Sequence, residues 1–356
     1  MRARELGYAP GRLPPGAHNA ITDVPGVAVG HCTLRADGPP PVRTGVTVIV
    51  PGRAPPYDMR PMAGSFVLNG AGELTGLAQL REWGLLETPI ALTNTLGVAA
   101  ACEGLVRHTL RSAPELGLAT DVVIPVVGEC DDSWIHDARG CHVRPEHVLE
   151  ALAAAREGPV REGNVGAGTG MITCDFAGGI GTSSRVVTFA HDRYVVGVLV
   201  LSNFGAREDL CMDGARVGEQ LVDYAGEAPR RTSFGSIVAV LATDAPLLPP
   251  QLDRICKRMA LGMARTGSSA AHGSGEIALA FTTAQPVPRA RTSALRTVTH
   301  LYDGELNPLF QAAVEATEEA ILNAVCAGEP LVGIDGHACP ALPIGAIARA
   351  RKERRT

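Results

Sequence analysis

Two stretches decide the architecture: Arg231-Thr-Ser-Phe-Gly-Ser-Ile-Val-Ala-Val240 and Ala271-His-Gly-Ser-Gly-Glu-Ile-Ala-Leu-Ala-Phe281. In each, a cluster of small polar residues turns into an apolar run of strand length. That pattern predicts strands over Ser236–Thr243 and Glu276–Thr283. Between them Pro249–Arg265 carries apolar residues at helical spacing, with proline at its start, and reads as an amphipathic helix. Upstream, Val186–Ala190 and Tyr194–Leu201 alternate like paired antiparallel strands, and downstream Pro308–Ala327 is the longest helix. Further towards the N-terminus, Val42–Val50, Ile90–Thr93 and Val122–Val127 read as strands. Glu73–Trp83, Thr95–Leu110 and Pro145–Arg156 read as helices. Residues 8–27 and Pro51–Met62 read as loop and turn, and the C-terminal ARKERRT as a frayed end. Strands that come in pairs between long helices imply a layered α+β fold.

Composition narrows the function. The chain has 356 residues, 46% of them hydrophobic and 19% charged, which is enough apolar surface for a large core. Its length fits two ordinary domains or one large one. A net charge of −5 without a basic block argues against nucleic acid as a partner. No uncharged apolar run is long enough to span a membrane, and the basic N-terminus is not followed by the apolar segment of a secretion signal. Nine scattered cysteines without a C-x-x-C pair predict free thiols and a cytoplasmic chain. Every basic residue except Lys257 and Lys352 is arginine, which removes a lysine nucleophile almost everywhere.

Several chemistries fail on spacing. Gly166-Ala-Gly-Thr-Gly170 lacks the G-x-G-x-x-G interval and an acidic ribose partner, so no nucleotide cofactor is expected. Glycines there serve backbone crossings. Cys130, His136, Cys141 and His142 cluster in sequence but match no zinc spacing, and no metal is expected. No G-x-S-x-G elbow is present. Ser274 and Glu276 remain. Two apart at the mouth of a strand, they share one side of an extended chain, so a hydroxyl and a carboxylate meet. Such a pair is either a buried hydrogen bond or a proton-handling device.

The chain resembles the self-processing serine peptidases of the L-aminopeptidase/D-amino-acid esterase-amidase and β-peptidyl aminopeptidase group. The resemblance runs over most of its length: Asn19-Ala-Ile-Thr-Asp-Val-Pro-Gly-Val27, Val42-Arg-Thr-Gly-Val-Thr47, Asn69-Gly-Ala-Gly-Glu-Leu-Thr-Gly76, Leu92-Thr-Asn-Thr95, Gly163-Asn-Val-Gly-Ala-Gly-Thr-Gly-Met171, Gly178-Gly-Ile-Gly-Thr-Ser-Ser-Arg185, Ser202-Asn-Phe-Gly205, Gly235-Ser236 and Gly273-Ser-Gly-Glu276. It implies a four-layer α/β/β/α sandwich, the fold shared with ornithine acetyltransferases. It also implies a single catalytic domain over 1–356, self-cleaved into 1–235 and 236–356, and a homotetramer of two-chain protomers. Ser236 would be the nucleophile and Gly235 the residue before the cut, where the missing Cβ and a tolerance of strained φ/ψ help. A free α-amine on Ser236 titrates near about 7.7–8.0 and serves as a base. Asn203 would donate to the oxyanion, Ser274 and Glu276 orient or deprotonate the nucleophile, and Glu129 pair with the free amine of a small peptide or amide substrate.

Two departures accompany the resemblance. Where relatives carry tyrosine two residues after the glutamate, this chain has Asp131, which leaves Trp134 or water as the donor there. Where they carry lysine before Gly-Gly-Ile-Gly, it has Ala177. Asp131 and Asp132 beside Glu129 predict an acidic mouth that favours amine-bearing substrates. The implied activity is release of small N-terminal L-, D- or β-residues from peptides, amides or esters. The alternatives are an ω-amide or oligomer hydrolase, an acyltransferase on the same scaffold, and an uncleaved, inactive binding protein.

Overall fold

The computed structural model describes residues 1–189, 191–221 and 235–353, with side chains up to residue 348. Arg231–Phe234 of the opening stretch, Ala190 and the last three residues of the tail lie outside the described residues. The strand predicted from that stretch is β8, Gly235–Thr243. It lies at the centre of a five-stranded sheet between β9 (Ser274–Pro288) and β7 (Arg193–Asn203), with β3 (Met59–Gly70) and β6 (Ile180–Thr188) at the edges. β8 and β9 run parallel, and the other neighbours are antiparallel. A second sheet has the order β1 (Ala28–Ala36), β2 (Val42–Val50), β4 (Ile90–Asn94), β5 (Val126–Cys130).

Side-chain alternation explains the layering. Val238, Val240 and Ala242 join a core that also holds Leu199, Leu201, Ile277, Leu279 and Phe281 with Ile49, Ile90, Leu92 and Val126 of the other sheet. The alternate residues Ile237, Ala239 and Leu241 pack instead with Leu252, Ile255 and Met259 of α4 (Pro249–Arg265) and with Ala313, Ala316 and Ala320 of α5 (Asn307–Cys326). Strands covered on both faces read as unbroken apolar runs, which is why β8 stood out in sequence. On the outer face of the four-stranded sheet, Val46, Val48, Ala91 and Val127 meet Ala101, Leu105, Val148 and Ala151 of α2 (Val98–Ser112) and α3 (Pro145–Ala154). The order of layers is therefore helix, sheet, sheet, helix.

Several boundaries move. β3 and β1 carry no strong strand signal. Pro61, Gly64, Asn69 and Gly70 dilute β3, a pattern tolerated at the edge of a sheet. The strand expected at Val122–Val127 is displaced to Val126–Cys130, with Val122 and Ile124 exposed ahead of Pro125. This shift brings Glu129 into the ladder. The helix expected at Glu73–Trp83 shortens to α1, Leu77–Trp83, after Gly76 at φ 73°. The tail begins as helix, α6 reaching from Ile344 to Glu353. The glycine run does serve a backbone crossing: a Cβ on Gly168 would fall 2.5 Å from the Ile180 amide nitrogen.

Candidate active site

Ser236 is the second residue of β8, and the ladder sets its neighbours. It lies directly opposite Asn203, the last residue of β7, and beside Gly275 of β9. Paired residues of an antiparallel ladder point to the same face of the sheet. Alternation puts Ser236 with Val238 on the inter-sheet side, where the other sheet ends in β4 and β5. A cleft of about 510 Å³ opens there, walled by Ala71, Gly72, Thr95, Leu96, Glu129, Asp131, Ser133, Ala138, Asn203, Gly235, Ser236 and Gly273. Ser236, Asn203, Glu129 and Asp131, all expected from the sequence, thus share one cavity with Gly235.

The Asn203 amide is held at both ends. Its Oδ1 accepts from the Ile172 N–H at 3.0 Å, which fixes Nδ2 towards the cleft, and Nδ2 donates to the Asp131 carbonyl at 2.8 Å. Glu129 is buried at the back of the cleft. Its Oε1 accepts from the Glu73 N–H at 2.8 Å and its Oε2 from the Thr95 hydroxyl. Burial pushes its carboxyl above the usual range, while these two hydrogen bonds pull it down. A carboxylate offers about four acceptor sites, so capacity for a substrate ammonium remains.

Ser274 and Glu276 meet as their spacing predicts, Ser274 Oγ donating to Glu276 Oε1 at 2.5 Å. Both are buried, and Glu276 Oε2 has no hydrogen-bond partner among the described residues. Burial raises the Glu276 carboxyl and the Ser274 hydrogen bond opposes the rise. Neither residue walls the cleft. Because Ile277 faces the inter-sheet core, alternation turns Ser274 and Glu276 to the opposite side of β9, alongside Gly235, with which Ser274 is paired. The pair therefore flanks the Gly235–Ser236 peptide rather than the mouth of the cleft.

Gly235 is required by space rather than by its dihedral angles. Its φ lies outside the left-handed region, but a Cβ would fall 2.8 Å from the Asn203 carbonyl oxygen and 2.9 Å from Phe204 Cα. Trp134 is not brought to the cleft. It stacks on His337 with ring centroids 3.8 Å apart. Asp132 does not acidify the mouth either. It is buried, accepts from Asn94 Nδ2 at 3.2 Å, and is pushed up to about 8 by burial. Ala177 is buried, its N–H donating to the Pro340 carbonyl. Of the four residues that cluster in sequence, Cys141 is exposed, Cys130 Sγ turns to the Leu201 carbonyl, and the His136 and His142 rings stand 5.1 Å apart.

Sequence reasoning assigned no role to Thr95 or Asn69, although both fall inside quoted motifs. Thr95 fixes Glu129. Asn69 Nδ2 donates to the carbonyls of Ala271 (2.8 Å) and Ser274 (2.6 Å), clamping the entry to β9.

A four-layer sandwich with a serine at the head of a central strand, an amide across the ladder and a buried carboxylate in the same cleft fits a serine hydrolase of Ntn-hydrolase-like fold. Peptidase family S58 matches residues 19–339, and the chain belongs to that family. It is 42% identical over 370 residues to a beta-peptidyl aminopeptidase of Sphingosinicella xenopeptidilytica, covering 99% of this chain and 91% of that one. A solved structure from Pyrococcus horikoshii OT3 superposes with a TM-score of 0.95 at 45% identity, covering 100% of this chain and 99% of the other. The L-aminopeptidase D-Ala-esterase/amidase of Ochrobactrum anthropi, described as a variant of the Ntn hydrolase fold, gives a TM-score of 0.92 at 36% identity, with 99% of each chain covered. The chain is accordingly an aminopeptidase-type serine hydrolase.

Proposed function

We propose that the chain cuts itself between Gly235 and Ser236 and then removes small N-terminal residues, α- or β-linked, through an ester on Ser236. In maturation Ser236 Oγ attacks the Gly235 carbonyl, the peptide nitrogen leaves with a proton as the α-amine, and water hydrolyses the resulting ester. In turnover that amine takes the hydroxyl proton while Oγ attacks the substrate carbonyl. Asn203 Nδ2 donates to the oxyanion, Ser274 and Glu276 hold the amine, and the departing amine carries the proton away before water releases the acyl group. Glu129 receives the substrate ammonium. The observation that carries this reading is the Ser236–Asn203 pair opening onto a cleft with a buried carboxylate at its back. The beta-peptidyl aminopeptidase relative supports β-linked residues among the substrates.

Intact mass of denatured protein should show chains of 235 and 121 residues, and Ser236→Ala should stay full length and inactive. Robust activity from an uncut wild type would remove the mechanism. Alanyl and β-alanyl p-nitroanilides should be hydrolysed and their N-acetylated forms spared. Nine free cysteines, most of them buried, support a reducing cytoplasm. Among the described residues no helix is long and apolar enough to cross a membrane. The homotetramer rests on the family resemblance alone.

A further inference from the structure

The cleft is lined by more carboxyl groups than one substrate amine can pair with. Glu129 and Asp131 both line it, and none of the described residues that wall it is lysine, arginine or histidine. The two acids occupy different depths. Glu129 is buried and held by the Glu73 N–H and the Thr95 hydroxyl. Asp131 is exposed, and among the described residues its Oδ1 accepts the nearby Ser133 N–H at 2.9 Å. The nearest arginine in sequence, Arg139, is engaged by Asp137 at 2.7 Å. Asp131 also adjoins the reacting centre: its own carbonyl takes the hydrogen bond from Asn203 Nδ2, the amide opposite Ser236. The cleft is also lined by Leu96, 52% exposed, and Ala138, apolar surface suited to methylene groups.

We infer that Asp131 is a specificity-determining residue that selects substrates whose N-terminal residue bears a second amine on its side chain, the lysine, ornithine and diaminobutyrate class. The proposal rests on the aminopeptidase reading above. The backbone ammonium meets Glu129, the aliphatic stem lies along Leu96 and Ala138, and the terminal ammonium reaches Asp131. Because Asp131 is exposed, its contribution is modest and salt-sensitive.

The test compares the mature protein on lysyl, norleucyl and alanyl p-nitroanilides, norleucine being the uncharged analogue of similar length. Lysyl should exceed norleucyl in kcat/KM by roughly two- to fivefold. The ratio should shrink with added salt, fall to about one in Asp131→Asn and persist in Asp131→Glu. If Asp131→Asn loses turnover, calorimetric binding of lysinamide and norleucinamide to it reads the same ratio. A wild-type ratio of one or less, or a ratio unchanged in Asp131→Asn, overturns the proposal while leaving the aminopeptidase reading intact. Failure to cleave any of the three overturns that reading, and the proposal with it.

Discussion

Two sets of buried carboxylates in this chain differ in their partners: those on α5 meet cations, and those beside the Gly235–Ser236 peptide and its cleft do not, among the described residues. On α5, Glu315 and Glu319 meet the fully buried Arg185, whose Nε and Nη2 lie 3.1 and 2.7 Å from them. Arg4 adds a second ion pair to Glu319 at 2.7 Å, and the Arg12 and Leu13 N–H groups complete Glu315. Arg185 also donates to the carbonyls of Ser184, Pro10 and Glu315. Although burial opposes it, these partners hold the Glu315 carboxyl below its ordinary value. Glu129 accepts from an N–H and a hydroxyl and Glu276 from a hydroxyl, neither meets a cation among the described residues, and burial raises both. Fully paired buried charge fixes a conformation. Buried acid without a cation, beside the peptide to be cut or at the back of the cleft, holds its proton more readily and is free to exchange it.

Substitutions should separate the two. The largest effect is expected for Glu276→Gln, which nearly keeps the shape and the Ser274 contact but loses the charge. Turnover should fall by about 10²–10⁴, with self-cutting slowed and denaturation midpoint unchanged. Steady-state rates beside a urea titration would expose a merely structural role as equal losses in both. Arg185→Met should do the reverse, lowering stability by about 3–5 kcal/mol because the buried Glu315 loses its ion pair. Rates per folded molecule should be retained, as checked by titrating active sites in the surviving fraction. Asn203→Ala should lower kcat by about 10²–10³ with little change in KM, since the oxyanion forms only on the way to the intermediate.

Asp132 offers the finest contrast, a buried acid with neither cation nor cleft. Burial lifts it from 3.8 to about 8, so the folded chain keeps a proton that the unfolded chain has lost. Its contribution to stability is full below about pH 4, declines as pH rises towards about 8, and is level beyond. Asp132→Asn removes that slope. The variant's Tm relative to wild type should rise between about pH 5 and pH 8, and parallel curves over that range would show that Asp132 does not titrate there.

The motifs were legible without their division of labour. Asn19 and Arg185, quoted with the catalytic segments, belong to the paired network: Asn19 Nδ2 donates to Glu319 at 2.6 Å and its Oδ1 accepts from the Ser184 N–H. Asp132 and Trp134, adjacent in sequence to cleft residues, turn elsewhere, one into the interior and the other onto His337. Sequence neighbours leave a strand end in different directions, and only packing chooses which of them faces the cavity.

By itself the sequence determined what depends on short range. Apolar runs and helical spacing set β8, β9, α4 and α5, and a two-residue interval set the Ser274–Glu276 contact, because alternation in an extended chain is a local property. The tertiary structure decided what requires register between distant segments. Pairing of β8 with β7 set Ser236 opposite Asn203, and the closing of one sheet on the other brought Glu129 and Thr95 to the same cleft. It also turned Ser274 and Glu276 away from the cleft wall and towards the Gly235–Ser236 peptide. Those relations come from ladders and layers joining residues more than 30 positions apart, for which no local pattern in the chain carries a signal.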